Sequence, residues 1–225
     1  MKKNQYEEYW SGQTTPLHRR NDSHTYRAYA QELSNIFNYM GFKEGAVLEL
    51  GCGNGALFPF FNFDSNSYLG IDFSSSMIGL FKEHYPNLSL IECDAATYVP
   101  NKKYDLIFGN AVHQNFSERM MTYNVRNMLG SLSPKGTFVM ANVPYTALKH
   151  QFLYGELSPS PDSSFLRTLR YKVARKWRWI CGQPDGIGFW YNFKNIKMIV
   201  GDNYEIEVFG SNFYPYRMHF GVKRS

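Results

Sequence analysis

Three carboxylates and a run of glycines stand at intervals that suit the grip of a nucleoside. Glu49 lies two residues before Gly51, and Gly53 and Gly55 follow in "VLELGCGNG". Asp72 comes 21 residues after Gly51, and Asp94 closes the run "IECD". Glycines let a backbone approach a ligand closely, and a carboxylate about 20 residues further on is where ribose hydroxyls are held. Gly51, Gly53 and Ala56 satisfy the dinucleotide pattern G-x-G-x-x-G/A, while Gly51, Gly53 and Gly55 satisfy the tighter G-x-G-x-G. The loop alone leaves both readings open.

Two neighbours separate them. A carboxylate as close to the loop as Glu49 repels a pyrophosphate and welcomes a cationic amine or sulfonium. Asp94 is a second carboxylate, placed to accept from an adenine amino group. Adenosine at one end and a cationic amino acid at the other describe S-adenosylmethionine.

These groups need a scaffold that brings successive strand ends together. "AVLEL", "SYLGID", "LSLIEC", "YDLIFGNA" and "GTFVMANV" read as strands, the first four ending at a glycine or a polar residue. Helices are expected over 23–40, after the glycine loop where Pro59 opens or shortens one, over "SSMIGLFKEHY", over 117–129 and over 191–200. Such alternation predicts a parallel sheet covered by helices on both faces. "YEIEVFG" and "YRMHFGV" are separated only by "SNFYP", too short for a parallel crossover, so they are expected as an antiparallel edge hairpin. The chain is expected to form one domain. Residues 1–40 would be an N-terminal lid and helix, 41–145 the cofactor core, 146–190 an inserted cap, and 191–225 a closing helix and hairpin.

The strand-end motifs together resemble a known family. "VLELGCGNG", "YLGIDFSSSM", "IECDA", "YDLIFGNAVH" and "MLGSLSPKGTFVMANV" are similar, in order and spacing, to the motifs of the class I S-adenosylmethionine-dependent methyltransferases, over about residues 45–145. The resemblance implies a Rossmann-like, seven-stranded, mostly parallel α/β sheet with one antiparallel strand. It implies that Gly51, Cys52 and Gly53 run along the methionine moiety with Glu49 close by, and that Asp72 holds the ribose. Phe73 and Met77 would flank the adenine, Asp94 and Ala95 would hold its edge, and Asn110 and Ala111 would offer backbone near the methyl group.

On the acceptor side, His113 follows the fourth strand and is expected as a general base on the rim, with Tyr145 and Tyr191 as weaker candidates. His18, Arg19, Arg20 and Tyr26 precede or open the first helix and suit a carboxylate, phosphate or acidic sugar. No acid pair follows the fourth strand, so no metal is expected. "YTALK" matches a dehydrogenase Tyr-x-x-x-Lys, but the glycine spacing that should accompany it is missing. "NVPY" resembles a DNA amino-methyltransferase motif, but it follows the fifth strand and not the fourth.

Charge narrows the partners. The net charge of +5 comes from six basic residues in "FLRTLRYKVARKWRW" (165–179), and the rest of the chain is nearly balanced. That points to a small, polar, anionic acceptor such as a sugar or phosphorylated intermediate, methylated on a hydroxyl or phosphate oxygen. A nucleic-acid or protein substrate docking on 165–179 is the alternative, and a non-catalytic cofactor-binding module the third reading. Three widely spaced cysteines and no apolar run near the roughly 18 residues of a membrane span lead us to expect a cytoplasmic protein without a secretory leader.

Overall fold

The computed structural model describes residues 23–154, 156–157, 173 and 187–225. The strands are β1 (Val47–Leu50), β2 (Tyr68–Asp72), β3 (Ser89–Glu92), β4 (Tyr104–Asn110), β5 (Leu132–Pro144), β6 (Tyr204–Gly210) and β7 (Arg217–Arg224). The helices are α1 (Ser23–Tyr39), α2 (Ser75–His84), α3 (Glu118–Gly130), α4 (Lys149–Leu153) and α5 (Phe193–Val200). The basic segment 165–179, apart from Val173, and the start of the expected lid lie outside the described residues.

The seven strands form one sheet in the order β3-β2-β1-β4-β5-β7-β6. β1 pairs in parallel with both β2 and β4, so chain order reverses direction across the sheet between β1 and β4. The expected antiparallel hairpin forms at one edge of the sheet, with β6 as its outer strand. β7 inserts between β5 and β6 and runs antiparallel to both. Its first residue therefore lies at the same edge as the carboxyl ends of the parallel strands.

Alternation along the strands builds two cores. Leu48, Leu50, Ile107, Phe138 and Met140 face Met121, Val125 and Met128 of α3 and Ile196 of α5. Val47, Leu106, Phe108, Val139 and Ala141 face Leu33, Ile36 and Phe37 of α1 and Ile78 and Phe81 of α2. Ser74 and Ser117 cap α2 and α3 through their hydroxyls, and Asn192 and Asn195 cap α5 reciprocally.

The helix expected after the glycine loop is only a 3-10 turn, Phe58–Phe60. Pro59 sits at its start, and the surrounding phenylalanines pack instead of winding. Phe58 lies edge-on to Tyr68 at 4.8 Å, Phe61 stacks on Phe63 at 4.8 Å, and Phe37 meets Phe108 at 5.0 Å. An aromatic plug replaces the helix.

Gly55 shows how tightly the loop meets that plug. Its φ is +74°, and a β-carbon there would come within 2.3 Å of the Phe81 ring. Gly55→Ala combines left-handed strain with overpacking and should destabilise the fold by about 2–4 kcal/mol. Urea unfolding of the variant beside wild type measures the loss.

Candidate cofactor and acceptor site

In an open α/β sheet the ligand crevice lies outside the carboxyl ends of the strands where their order reverses, here between β1 and β4. The glycine loop fills one side. Both oxygens of Asp72 hold backbone there: Oδ2 accepts from the Gly53 amide and Oδ1 from the Ser74 amide, each at 2.9 Å. Burial pushes the Asp72 carboxyl pKa up, while these amide bonds pull it back. Asp72 thus braces the loop against the turn into α2, and each oxygen keeps a second lone pair for a ligand hydroxyl. Gly53, at φ +56°, has nothing within 4 Å of where a β-carbon would stand, so the loop leaves an open cradle at that point.

Glu49 sits beneath this loop, 4% exposed. The Tyr68 hydroxyl donates to its Oε2 at 2.5 Å. No basic side chain among the described residues lies within ion-pair distance of it. Burial raises its pKa to about 8, the Tyr68 bond lowers it somewhat, and Asp72 adds repulsion. A buried carboxylate with no cation of its own fits a ligand that brings one. The Cys52 thiol is buried beside it and is held protonated by that burial.

Further along the edge, Asp94 Oδ1 accepts from the Ala96 amide at 2.8 Å, and its other oxygen makes no hydrogen bond among the described residues. Ala95 is buried, its carbonyl accepting from Asn124 at 2.7 Å. Phe73 presents a partly exposed ring, whereas Met77 is buried at 4% exposure. Glu49, Gly51, Cys52, Gly53, Asp72, Phe73, Asp94 and Ala95 thus come together along the ends of β1, β2 and β3.

At the end of β4, Ala111 has φ 56°, and Asn142 in β5 has φ 55°. Non-glycine residues in the left-handed region are uncommon and cluster at functional sites. The two are linked. The Ala111 amide donates to the Ala141 carbonyl at 3.0 Å, and Asn142 Nδ2 donates to Asn110 Oδ1 at 2.7 Å. Asn142 also donates its own amide to His219 Nδ1 at 3.3 Å, and His219 faces Glu32 of α1 at 3.5 Å. Sequence reading missed this polar cluster. Asn142 was visible only inside "NVPY", and Glu32 and His219 carry no local signature.

His113 is not on the rim. The chain doubles back through Ala111 into a 3-10 turn, and the imidazole is fully buried between Phe116 and Phe138, with centroids 5.4 and 5.7 Å away. Burial lowers its pKa to about 4, and nearby Asn124 opposes this weakly. Neither ring nitrogen makes a hydrogen bond of normal geometry. In this position it is a neutral core residue, and the expected base is corrected to that. Tyr191 is corrected likewise: it is 4% exposed, and its hydroxyl donates to the Phe116 carbonyl at 2.6 Å. Tyr145 is half-buried at the end of β5, and its hydroxyl makes no hydrogen bond among the described residues. Tyr26 is half-buried on α1, while His18, Arg19 and Arg20 lie outside the described residues.

Comparison with known proteins agrees with this layout. Residues 47–136 match the family described as methyltransferase domain. A malonyl-[acyl-carrier protein] O-methyltransferase of Ilyobacter polytropus is 35% identical over 111 residues, 44% of this chain and 41% of that protein. A trans-aconitate 2-methyltransferase of Sinorhizobium medicae is 29% identical over 99 residues, 43% of this chain and 38% of that protein. The chain spans less than half the length of either relative. Among solved structures, an S-adenosylmethionine-dependent methyltransferase from Clostridium acetobutylicum superposes with a TM-score of 0.64 at 15% identity, covering 99% of this chain and all of that one. Magnesium protoporphyrin IX methyltransferase from Synechocystis superposes at 0.60 and 17% identity, covering 97% and 92%. At these identities the structures speak for the fold.

Two buried groups should give opposite pH signatures. His113 is harder to protonate folded than unfolded, so its contribution to stability is complete above about pH 6.5 and is lost as pH falls through about 4. His113→Leu should remain folded and lose less stability over that window, which urea unfolding at stepped pH measures. Glu49 has the opposite sign: its contribution is complete below about pH 4.5 and is lost as pH rises through about 8. Glu49→Gln should match wild type near pH 4 and exceed it at pH 9 in the same measurement.

Proposed function

We propose that this chain is a class I S-adenosylmethionine-dependent methyltransferase, a reading its fold and its matched domain support, and that it moves the methyl group to an oxygen of a small molecule that is already an anion. The observation that carries the cofactor half is Glu49, buried without a cation beside a glycine loop that no α-helix follows. A dinucleotide pyrophosphate is held at a helix N-terminus, where the dipole favours negative charge. Here the loop runs into a single 3-10 turn, and the buried acids beside it are the carboxyl groups of Glu49 and Asp72. That electrostatics suits the cationic amino-acid end of S-adenosylmethionine. The cradle at Gly53, the paired lone pairs of Asp72 and the free oxygen of Asp94 fit the remainder of the molecule.

When bound, that cofactor supplies a methyl group activated by its positive sulfur. The chain's own residues then need to align the acceptor, exclude water and, for a hydroxyl, remove a proton. His113, neutral and in the core, does not serve that last need. An anionic oxygen has no proton to lose. The relatives' names, with malonyl and trans-aconitate as their substrates, are those of acids and support the same reading. A hydroxyl acceptor, as on a sugar, is the second reading, and the free Tyr145 hydroxyl favours it as the remaining base. The free thiols of Cys52 and Cys93 fit a reducing cytoplasm.

Calorimetry tests the cofactor half. S-adenosylmethionine or its demethylated product should bind without competition from NAD(H) or NADP(H). Asp72→Ala should weaken binding about tenfold or more, roughly 1.4 kcal/mol, since it removes both the ribose acceptor and the brace on Gly53. Because the ligand's amine pulls Glu49 back toward its charged form, binding at pH 7 should release a proton. Heats measured in buffers of different ionisation enthalpy count that proton, and Glu49→Gln should abolish it. Tight NAD binding indifferent to the methyl donor overturns the proposal.

A further inference from the structure

Arg217 opens β7 and, because β7 is antiparallel, stands opposite Pro144 at the carboxyl edge of β5. It is 8% exposed. Its Nη1 donates to the Asn142 carbonyl at 3.1 Å, and its guanidinium carbon lies 4.9 Å from the Tyr214 ring centroid and 5.4 Å from that of Tyr216. One corner of the group is thereby fixed and its charge is partly met by two aromatic faces. The opposite edge is not. Nε is buried without a hydrogen-bond partner, and Nη2 makes no hydrogen bond among the described residues. No acid among the described residues lies within ion-pair distance of it. The buried carboxylate of this neighbourhood, Glu32, does not pair with it: its Oε1 accepts from the Asn212 amide at 2.6 Å and faces His219, while its Oε2 is buried without a hydrogen-bond partner.

A nearly buried cation with an unpaired edge is costly unless something anionic completes it. The Nε and Nη2 hydrogens of a guanidinium form a flat pair of parallel donors, which matches the two oxygens of a carboxylate. Arg217 brings one positive charge to this edge. A single carboxylate group, planar and singly charged, matches that edge better than a tetrahedral phosphate group carrying nearly two charges. The site lies beyond Asn110 and Asn142 from the glycine loop, across β4 and β5, on the side where an acceptor would meet the cofactor. Tyr29, stacked on Phe213 at 4.0 Å, stands with Tyr214 on the same flank.

Resting on the methyltransferase reading above, we infer that Arg217 is the anion-binding residue of the acceptor site and that it takes a carboxylate of the acceptor. Guanidinium and carboxylate meet edge to edge, with Asn142 and the two tyrosines holding the guanidinium in place.

The test is calorimetric titration of malonate, citrate and glycerol phosphate into the protein saturated with demethylated cofactor. Malonate or citrate should bind wild type better than glycerol phosphate. Arg217→Gln should lose about tenfold or more of that affinity, and Arg217→Lys should lose less, because it keeps the charge but not the paired donors. Cofactor affinity should be unchanged in both. In unmutated protein, one arginine Nε–H resonance should shift on malonate addition and be missing from Arg217→Lys, which keeps the test valid if Arg217→Gln does not fold. Equal carboxylate affinity in wild type and Arg217→Gln overturns the inference, as does a preference for the phosphate ester or no binding of either carboxylate. Failure of wild type to bind the demethylated cofactor strikes the underlying reading instead.

Discussion

The carboxylate of Asp72 ties two strand ends into one edge. One oxygen takes the amide of Gly53 and the other the amide of Ser74. The glycine loop after β1 and the turn from β2 into α2 are therefore a single hydrogen-bonded unit. Ser74 in turn caps α2, whose Phe81 packs where Gly55 leaves space. Without that carboxylate, the buried Ser74 amide and the half-buried Gly53 amide would lose their acceptor and the loop its shape, a cost of about 1–3 kcal/mol for the buried group left unsatisfied. Every other feature of the cofactor edge is referred to this frame.

Beneath the frame lies an electrostatic imbalance. Glu49 is buried with Tyr68 and Cys52 beside it, and the nearby Asp72 further disfavours its ionisation. With no helix after the loop, no dipole is oriented to attract phosphate. A cation is what this arrangement lacks. Burial keeps the glutamate neutral in the free protein, so its charge becomes available when a cationic ligand lowers its pKa again.

The other half of the crevice is built from strained backbone. Ala111 and Asn142 both hold left-handed dihedrals, side by side across β4 and β5, and their hydrogen bonds fix each other. This turn carries His113 inward and frees the edge above it. The bulge in β5 between Met140 and Val143 is where Asn142 leaves the ladder, and its carbonyl then meets Arg217. A local break in strand pairing is thus what lets a cation from β7 reach the acceptor side.

Order and type of the strands, the two-sided cover of helices and the carboxylates at the ends of β1, β2 and β3 were legible in the chain itself. Apolar runs of strand length stop at glycine or aspartate, and a strand's end is a local property. Side-chain direction after β4 was not legible. A single left-handed residue at Ala111 decides whether His113 faces the crevice or Phe138, and only packing selects that dihedral. The missing helix after the glycine loop followed from contacts distant in sequence, of Phe61 and Phe63 with Phe37 and Phe108 and of Phe58 with Phe81. Arg217 and Asn142 lie 75 residues apart and meet because β7 inserts antiparallel beside β5. Periodicity reports which face of a strand is apolar. Where a buried charge finds or lacks a partner depends on strands brought together from across the chain, and that belongs to the tertiary structure alone.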